Sequence, residues 1–307
     1  MRLSEIGASW PWPIKLIAIP VRLAAYLPIV WKLRTRRYDV IHIHWVTQGI
    51  VGVLAGRQFF LQAHGSDLHV NLAIRGVRAL TRRMLDRAKA IFYVTPNLET
   101  YLQGHETKIH YLPNPVDVDA LEAPPTNSPI ARVLVFTRLD AVKGPDQIFR
   151  AVERLTPDFE FTGIAWGPLK SEYVSRYSST VRFVDRVAHD RIGPFLAGFD
   201  AIIGQMQQGI LSLSEIEALA VGRPVITGVD WSYYHGDPPP VLPASGPDDI
   251  VAALRRLAGD GTLVAQLCGQ GPAWVRRNHG LDLHLRLLES AYFGVDAAVE
   301  GVGPTRP

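Results

Sequence analysis

The sequence predicts an α/β protein made of two parallel-sheet halves. Three observations carry that prediction. Short β-branched or apolar runs alternate with amphipathic stretches, the pattern of strands joined by helical crossovers. The alternation is interrupted by Ala-Pro-Pro-Thr-Asn-Ser-Pro at residues 123–129, a linker composition, and then restarts. The chain has 307 residues, which at about 150 per domain is length for two domains.

In order, residues 40–44 read as a first strand, with His42 and His44 on one face. Residues 58–63 read as a second, residues 72–88 as an arginine-studded amphipathic helix, and residues 90–94 as a third strand. Residues 109–112 form a fourth strand, closed by Pro113. After the linker come strands at 132–137, 159–164, 181–184, 201–203 and 224–227. Helices are expected at 146–155, 190–196 and 212–221, the last ended by Gly222, and three more at 248–257, 263–277 and 281–293.

The chain is 47% hydrophobic and 20% charged, which excludes a disordered or fibrous chain. A lone cysteine, Cys268, excludes an internal disulfide framework and fits a reducing compartment. The charge is uneven. Residues 1–89 hold three lysines and eleven arginines against Glu5, Asp39, Asp67 and Asp86, a net +10; the other 218 residues therefore carry −7 of the overall +3. The first third is expected to face an anionic surface, membrane or nucleic acid, and no aromatic-basic module supports nucleic acid.

Residues 14–33 are mostly apolar, but Lys15, Arg22, Pro20 and Pro28 interrupt them. They make a poor membrane span, and no clear small-residue cleavage site marks a secretory leader. With Trp10, Trp12, Tyr26 and Trp31 and the closing Arg34, Arg36 and Arg37, the segment fits a membrane interface; a buried first helix fits equally.

Three constellations carry chemistry. In residues 204–226 a glycine-containing loop follows a strand and opens a helix. Ser212 and Glu215 have capping-box spacing, so the helix begins there and its free N–H groups suit a phosphate. Glu217, inside that helix, is of a type that accepts hydrogen bonds from ribose hydroxyls. The second constellation, residues 136–144, puts Arg138 and Lys143 on the loop after a strand, where they suit a diphosphate leaving group. The third is Ala63-His64-Gly65-Ser66-Asp67, with His64 at a strand end. His42, His44, His64 and Asp67 match no metal-ligand spacing, and no metal or other cofactor is expected. Neither half opens with G-x-G-x-x-G and no Walker A loop occurs, which disfavours a dehydrogenase or P-loop enzyme.

In order and spacing these pieces resemble the retaining glycosyltransferases of family 4, whose GT-B fold is two Rossmann-like domains facing a central cleft. Residues 39–44 resemble the family's D-I/V-I/V-H-x-H strand, and residues 64–67 its HG-x-D. Residues 112–117 resemble x-P-N-G-V-D, with Pro115 for the glycine. Residues 138–144 resemble the end of G-R-L-x(3)-K-G, with Thr137 for the leading glycine. Residues 163–168 resemble G-x-G-P, and residues 181–187 V-x-F-x-G-x-V with Asp185 for the glycine. The resemblance spans roughly residues 38–293.

It implies an acceptor-side domain at 1–125, shortened at its start; a nucleotide-sugar domain at 126–279; and a terminal helix and tail at 280–307 packing back toward the first domain. It implies His64, Arg138 and Lys143 as catalytic residues. Donor binding falls to Thr137, Gly167, Arg186, Val187, Gly209, Ile210, Leu211, Ser212, Leu213 and Glu217, with Glu217 on the ribose and the backbone around Arg186 and Val187 meeting the base. The implied donor is a UDP- or GDP-sugar, the acceptor lipid-linked or a glycan, and the location cytoplasmic at the inner face of the cell membrane. Gly209 stands where the family has the first glutamate of its E-x7-E motif. That departure and the short start of the first domain motivate a competing expectation, a binding subunit without catalysis; a nucleotide-sugar epimerase on the same fold is a further one. Asp117-Val118-Asp119 also fits the D-x-D metal motif of the other main glycosyltransferase fold, which the second Rossmann-like half disfavours.

Overall fold

The computed structural model describes residues 24–121, 123–124, 129–234 and 236–294. The expectations for Trp10, Trp12, Lys15, Pro20 and Arg22, for linker residues 125–128 and for the tail at 295–307 lie outside the described residues. The chain divides into two compact units, Met1–Tyr111 and Leu112–Pro307.

The first unit contains α1 (Leu27–Thr35), β1 (His42–His44), α2 (Ile50–Ala55), β2 (Phe60–Ala63), α3 (Ser66–Ala73), α4 (Arg75–Arg87), β3 (Ala90–Tyr93) and β4 (Ile109–Tyr111). The strands form a parallel sheet in the order β1-β2-β3-β4. Its register aligns Ile43, Leu61, Ile91 and Ile109 in one apolar row. Met84 and Leu85 of α4 pack into the same core as Leu61 and Ile91. The arginines of α4 occupy the rest of the helix, which is why its sequence reads as amphipathic.

The single helix expected over residues 72–88 is two helices. Ile74 between them is extended, at φ −93° and ψ 117°. The break is stabilised by Arg78, whose Nε donates to Leu72 O at 2.6 Å and satisfies a carbonyl left over at the end of α3. The apolar stretch at 14–33 ends in α1, which buries Val30 against Val51 and Ala55 of α2. Leu27, Ile29 and Trp31 remain exposed, so α1 combines a packed face with an apolar free one. Its C-terminal carbonyls are taken up by Arg57, from Nε to Leu33 O at 2.9 Å and from Nη2 to Arg36 O at 3.0 Å.

The second unit contains β5 (Arg132–Val135), α5 (Pro145–Leu155), β6 (Glu160–Ile164), α6 (Lys170–Tyr177), β7 (Val181–Val184), α7 (Ile192–Ala197), β8 (Ala201–Ile203), α8 (Leu213–Ala220), β9 (Val225–Thr227), β10 (Leu242–Pro243), α9 (Pro247–Gly259), α10 (Gly261–His279) and α11 (Leu281–Phe293). Its sheet is parallel, in the order β10-β9-β8-β5-β6-β7. The order reverses at β5, so β5 and β8 flank the topological switch point, where open α/β sheets bind ligands at their C-terminal strand ends. The opposite ends are pinned by buried Asp200, which accepts from the amides of Ala131 (3.1 Å) and Arg132 (2.8 Å) and from the Arg132 guanidinium. The polar helix α6, absent from the sequence reading, is held by two tyrosines: the Tyr173 and Tyr177 rings lie 4.9 and 4.7 Å from that of Phe149.

Residues 112–121 belong to this second unit, so the division falls before Leu112 and not in the proline-rich stretch. Val116, Val118 and Leu121 share a core with Leu134 and Ile202. The amide of Val116 donates to His279 O at 2.7 Å, and His279 Nδ1 donates to Asn114 O at 3.0 Å. His284 Nδ1 likewise lies 3.0 Å from Pro113 O.

Candidate functional site

Two loops meet at the switch point of the second unit. The first leaves β5 through buried Thr137 and carries Arg138, then a 3-10 turn (Ala141–Lys143) capped by Asp140. Gly144 closes it at φ +69°, a left-handed conformation that glycine adopts without strain, and Pro145 opens α5. The second runs from Gly204 after β8 to Ser212 before α8. The amide of Met206 donates to Lys143 O at 2.9 Å, and Lys143 Nζ donates to Gln208 Oε1.

Glu215 organises the second loop. It is completely buried. Its Oε2 accepts from the amide (2.6 Å) and hydroxyl (2.8 Å) of Ser212; its Oε1 accepts from the amide of Gln205 (2.8 Å) and the hydroxyl of Thr227. The capping box read from the sequence is therefore present, and half of it serves to tie β8 and β9 to the helix start. Burial pushes the Glu215 carboxyl up, and the four donors oppose this by favouring its charged form. Gln205 works from inside the same loop. Its Oε1 accepts from the amides of Gln207 and Gln208, at 3.0 and 2.7 Å, and its Nε2 donates to Ile210 O at 2.7 Å. Sequence reasoning missed Gln205; an amide side chain directly after a buried strand was the signal.

Of the segment 209–213, Gly209 has φ +68°. Ile210 and Leu211 are buried, whereas Leu213 is exposed. The amide of Leu211 is bonded to Tyr234 Oη at 2.7 Å and that of Ser212 to Glu215. Those two amides are spoken for within the loop. The amides of Gly209, Ile210 and Leu213 have no partner among the described residues. Glu217 lies one helical turn in, almost fully buried, with Oε1 3.5 Å from Nδ1 of exposed His189. Burial raises the Glu217 carboxyl and His189 opposes it.

The cations are grouped. Burial lowers the Lys143 ammonium below the usual lysine range; the carboxylates of Glu215 and Asp140 oppose this, and Arg138 adds to it. Arg138 lies 3.4 Å from Asp140 and 5.6 Å from the Trp166 ring, and Arg186 is 4.8 Å from the same ring. Trp166, 41% exposed, is thus an aromatic surface shared by two guanidiniums, and the sequence reading passed it over. Gly167 follows at φ +130°, where a Cβ would lie 2.3 Å from Leu139 O. Leu139 bonds this loop in both directions, its amide to Trp166 O at 2.7 Å and its carbonyl from Leu169 N at 3.0 Å. Val187 packs partly buried beside the second core.

His64 belongs to the first unit, at the end of β2. Asp67 joins two strand ends there: its Oδ1 accepts from the amide of His64 at 2.9 Å and its Oδ2 from the amide of Val46 at 3.0 Å. His44 Nδ1 lies 3.0 Å from His64 Nε2. The His42 and His44 rings stack at 4.8 Å and 2°, and Trp45 covers His64 at 5.0 Å. Trp45 has φ +72°, a strained conformation for a bulky residue and of a kind that concentrates at functional sites. Among the described residues, no group of three or more His, Cys, Asp or Glu could hold a metal ion. Nor, among those residues, is any helix long and apolar enough to cross a membrane.

Residues 2–115 match the family described as a glycosyl transferase 4-like domain. No curated protein matches the chain. Among solved structures, HepE of Anabaena in complex with UDP and glucose aligns at a TM-score of 0.69, over 86% of this chain and 80% of its own, with 14% identity. Sucrose-phosphate synthase from Thermosynechococcus elongatus aligns at 0.66, over 84% and 75%, with 18% identity. A glycosyltransferase from Rickettsia africae aligns at 0.66, over 87% and 79%, with 16% identity. The fold is GT-B. The family match falls almost wholly in the first unit.

Proposed function

We propose that this protein is a glycosyltransferase that moves a sugar from a UDP- or GDP-sugar to a lipid-linked or glycan acceptor, with retention of configuration and without a metal. The observation that carries the reading is the pairing of Arg138 and Lys143 with the N-terminus of α8 at the switch point of the second sheet. A pyrophosphate there would meet two guanidinium or ammonium groups and a helix dipole, the equipment needed for a dianionic leaving group. The free amides of Gly209, Ile210 and Leu213 add donors. Glu217 would accept from the ribose hydroxyls. Thr137, Gly167 and the backbone at Arg186 and Val187 would line the nucleotide, and His64 would meet the sugar. The acceptor hydroxyl attacks the anomeric carbon on the face the diphosphate leaves. The carbon–phosphate-oxygen bond breaks, and the hydroxyl proton passes to the departing phosphate oxygen.

The similar structures support the donor class, since HepE was determined with UDP-glucose. A peripheral position on the inner face of the membrane is supported by α1, where exposed Leu27, Ile29 and Trp31 adjoin Lys32 and Arg34, and by the basic α4.

The test is turnover with a panel of UDP- and GDP-sugars. Arg138→Ala and Lys143→Ala should each lower kcat/KM by about 10²-fold. Turnover should persist in a chelator, and the product anomer should match the donor's. Near wild-type rates in both variants would overturn the assignment. Gly209 favours a second reading to be scored in the same assay. No turnover and no thermal stabilisation by any nucleotide or nucleotide sugar would mark a binding subunit without catalysis, and donor conversion without acceptor an epimerase.

A further inference from the structure

We propose that the first unit carries a separate binding cavity for a phosphate-bearing ligand, between α4 and the 3-10 helix Pro96–Leu102. The cavity has a volume of about 510 Å³, a size that takes a phosphate together with the group esterified to it. It is lined on one side by α4 and on the other by Thr100, Tyr101 and Gln103. His44, Trp45, His64 and Asp67 are not among the residues that line it, so the cavity is not part of the site described above.

Its chemistry is that of an anion receptor. Arg78 and Arg82 are four residues apart on α4 and so share a face. The Arg78 Nε is anchored on Leu72 O at 2.6 Å, which fixes the side chain. Neither Nη of Arg78 nor any nitrogen of Arg82 is bonded to another described residue, and neither guanidinium has a carboxylate within ion-pair distance. Two guanidiniums on one helix face without a counterion repel, and a phosphate between them relieves that and accepts their N–H groups in pairs. The Tyr101 hydroxyl and the Gln103 amide supply neutral donors opposite. The Thr100 hydroxyl donates to Asn97 O at 2.9 Å, which leaves its oxygen as an acceptor for a protonated ligand atom.

The one acid of the lining, Asp86, is one turn beyond Arg82 and is tied to His105 Nε2 at 3.0 Å. Its carboxylate is thereby engaged at the far end. Arg75, Arg83 and Arg87 on the same helix raise the local potential without lining the cavity. Leu72 and buried Leu85 make the floor, which suits the carbon skeleton behind a phosphate.

The ligand is a phosphomonoester or phosphodiester, whose source is a lipid headgroup or a free phosphate. The site is independent of the sugar-transfer reading and is testable on protein that turns over nothing. Inorganic phosphate is titrated into the full chain by calorimetry, and vesicles of phosphatidylcholine with and without phosphatidylglycerol are tested by co-sedimentation. Arg82→Ala should weaken the responding probe by about tenfold or more, as loss of a charge-assisted pair does. Arg83→Ala, the same charge change on the same helix but outside the lining, should leave it within about twofold. Tyr101→Phe, which leaves α4 untouched, should weaken it several-fold and covers the case in which Arg82→Ala does not fold. Dependence on Arg82 with phosphatidylglycerol vesicles alone assigns a headgroup; with inorganic phosphate, a soluble ligand; both support the site. Equal losses in Arg82→Ala and Arg83→Ala mean diffuse charge attraction and overturn it. So does the absence of binding by either probe.

Discussion

At the C-terminal strand ends of the second unit, three glycines stand where no Cβ fits. A Cβ on Gly204 would lie 1.9 Å from Glu215 Oε1, one on Gly167 2.3 Å from Leu139 O, and one on Gly228 2.4 Å from Met206 O. In the first unit, Gly65 precedes α3 at φ +109° and a Cβ there would meet nothing within 4 Å. The strand ends of that unit are organised by rings, with His42, His44, His64 and Trp45 in face contact. Both sites have a buried carboxylate that takes loop amides, Glu215 in one and Asp67 in the other, but the first is closed by glycines with no room for a Cβ and the second by stacked rings beside a glycine that has room. The first kind admits no added atom. The second is adjustable one residue at a time.

The largest expected effect breaks or upholds that contrast directly. Gly204→Ala forces the Glu215 carboxylate off the amide of Gln205 and the hydroxyl of Thr227, leaving buried donors unsatisfied. It should cost about 3 kcal/mol or more. Gly65→Ala adds only the backbone strain of an alanine at φ +109°, ψ −78°, about 1–3 kcal/mol. Urea midpoints of the two variants settle it: an equal or larger loss in Gly65→Ala would remove the distinction.

A second measurement sharpens it through pH. His279 is buried against Asn114 O and Trp274, and burial pushes its imidazole down to about 4. The unfolded chain binds this proton near 6.5, so between those values it is the unfolded state that takes up protons. The stability involved is fully present above pH 6.5 and is lost as pH falls toward 4, by up to about 3 kcal/mol. His279→Asn should flatten the urea midpoint across that window. Losses from the depressed carboxyls of Asp200 and Asp237 come at lower pH, because their unfolded values are near 3.8. An unchanged slope in His279→Asn would mean that the junction at residues 114–116 does not depend on a neutral imidazole.

What the sequence disclosed follows the same physical division. Strands were legible because buried parallel strands are apolar runs, and α8 because Ser212 and Glu215 announce a helix start. The two cations after β5 and Glu217 in α8 were legible by residue type and spacing. Illegible were features made by distance: Gln205 bracing a loop from inside, Trp166 between Arg138 and Arg186, and Tyr234 taking the amide of Leu211. The break at Ile74 carried neither glycine nor proline and depended on a side chain four residues later. The helix α6 is polar along its length and owes its place to Tyr173 and Tyr177. Gly209 was read as a missing glutamate; its φ of +68° adds that a side chain here would be strained, so the position is built for backbone.

The smallest expected effect concerns the ring-built site and rests on the sugar-transfer reading. His44 Nδ1 and His64 Nε2, 3.0 Å apart, share one proton: one ring donates and the other accepts. His44 therefore dictates which His64 nitrogen carries hydrogen, and so what His64 offers on its other side. His44→Phe keeps a ring to stack on His42 but has nothing to give His64. It should lower kcat/KM by about tenfold, the worth of one hydrogen bond, with the urea midpoint little changed. His44→Gln, which retains a donor and an acceptor, should recover part of that loss. If His44→Phe instead lowers stability as far as Gly204→Ala does, the first site is as rigidly packed as the second. If the rate is unchanged in His44→Phe, the tautomer of His64 does not matter to the reaction.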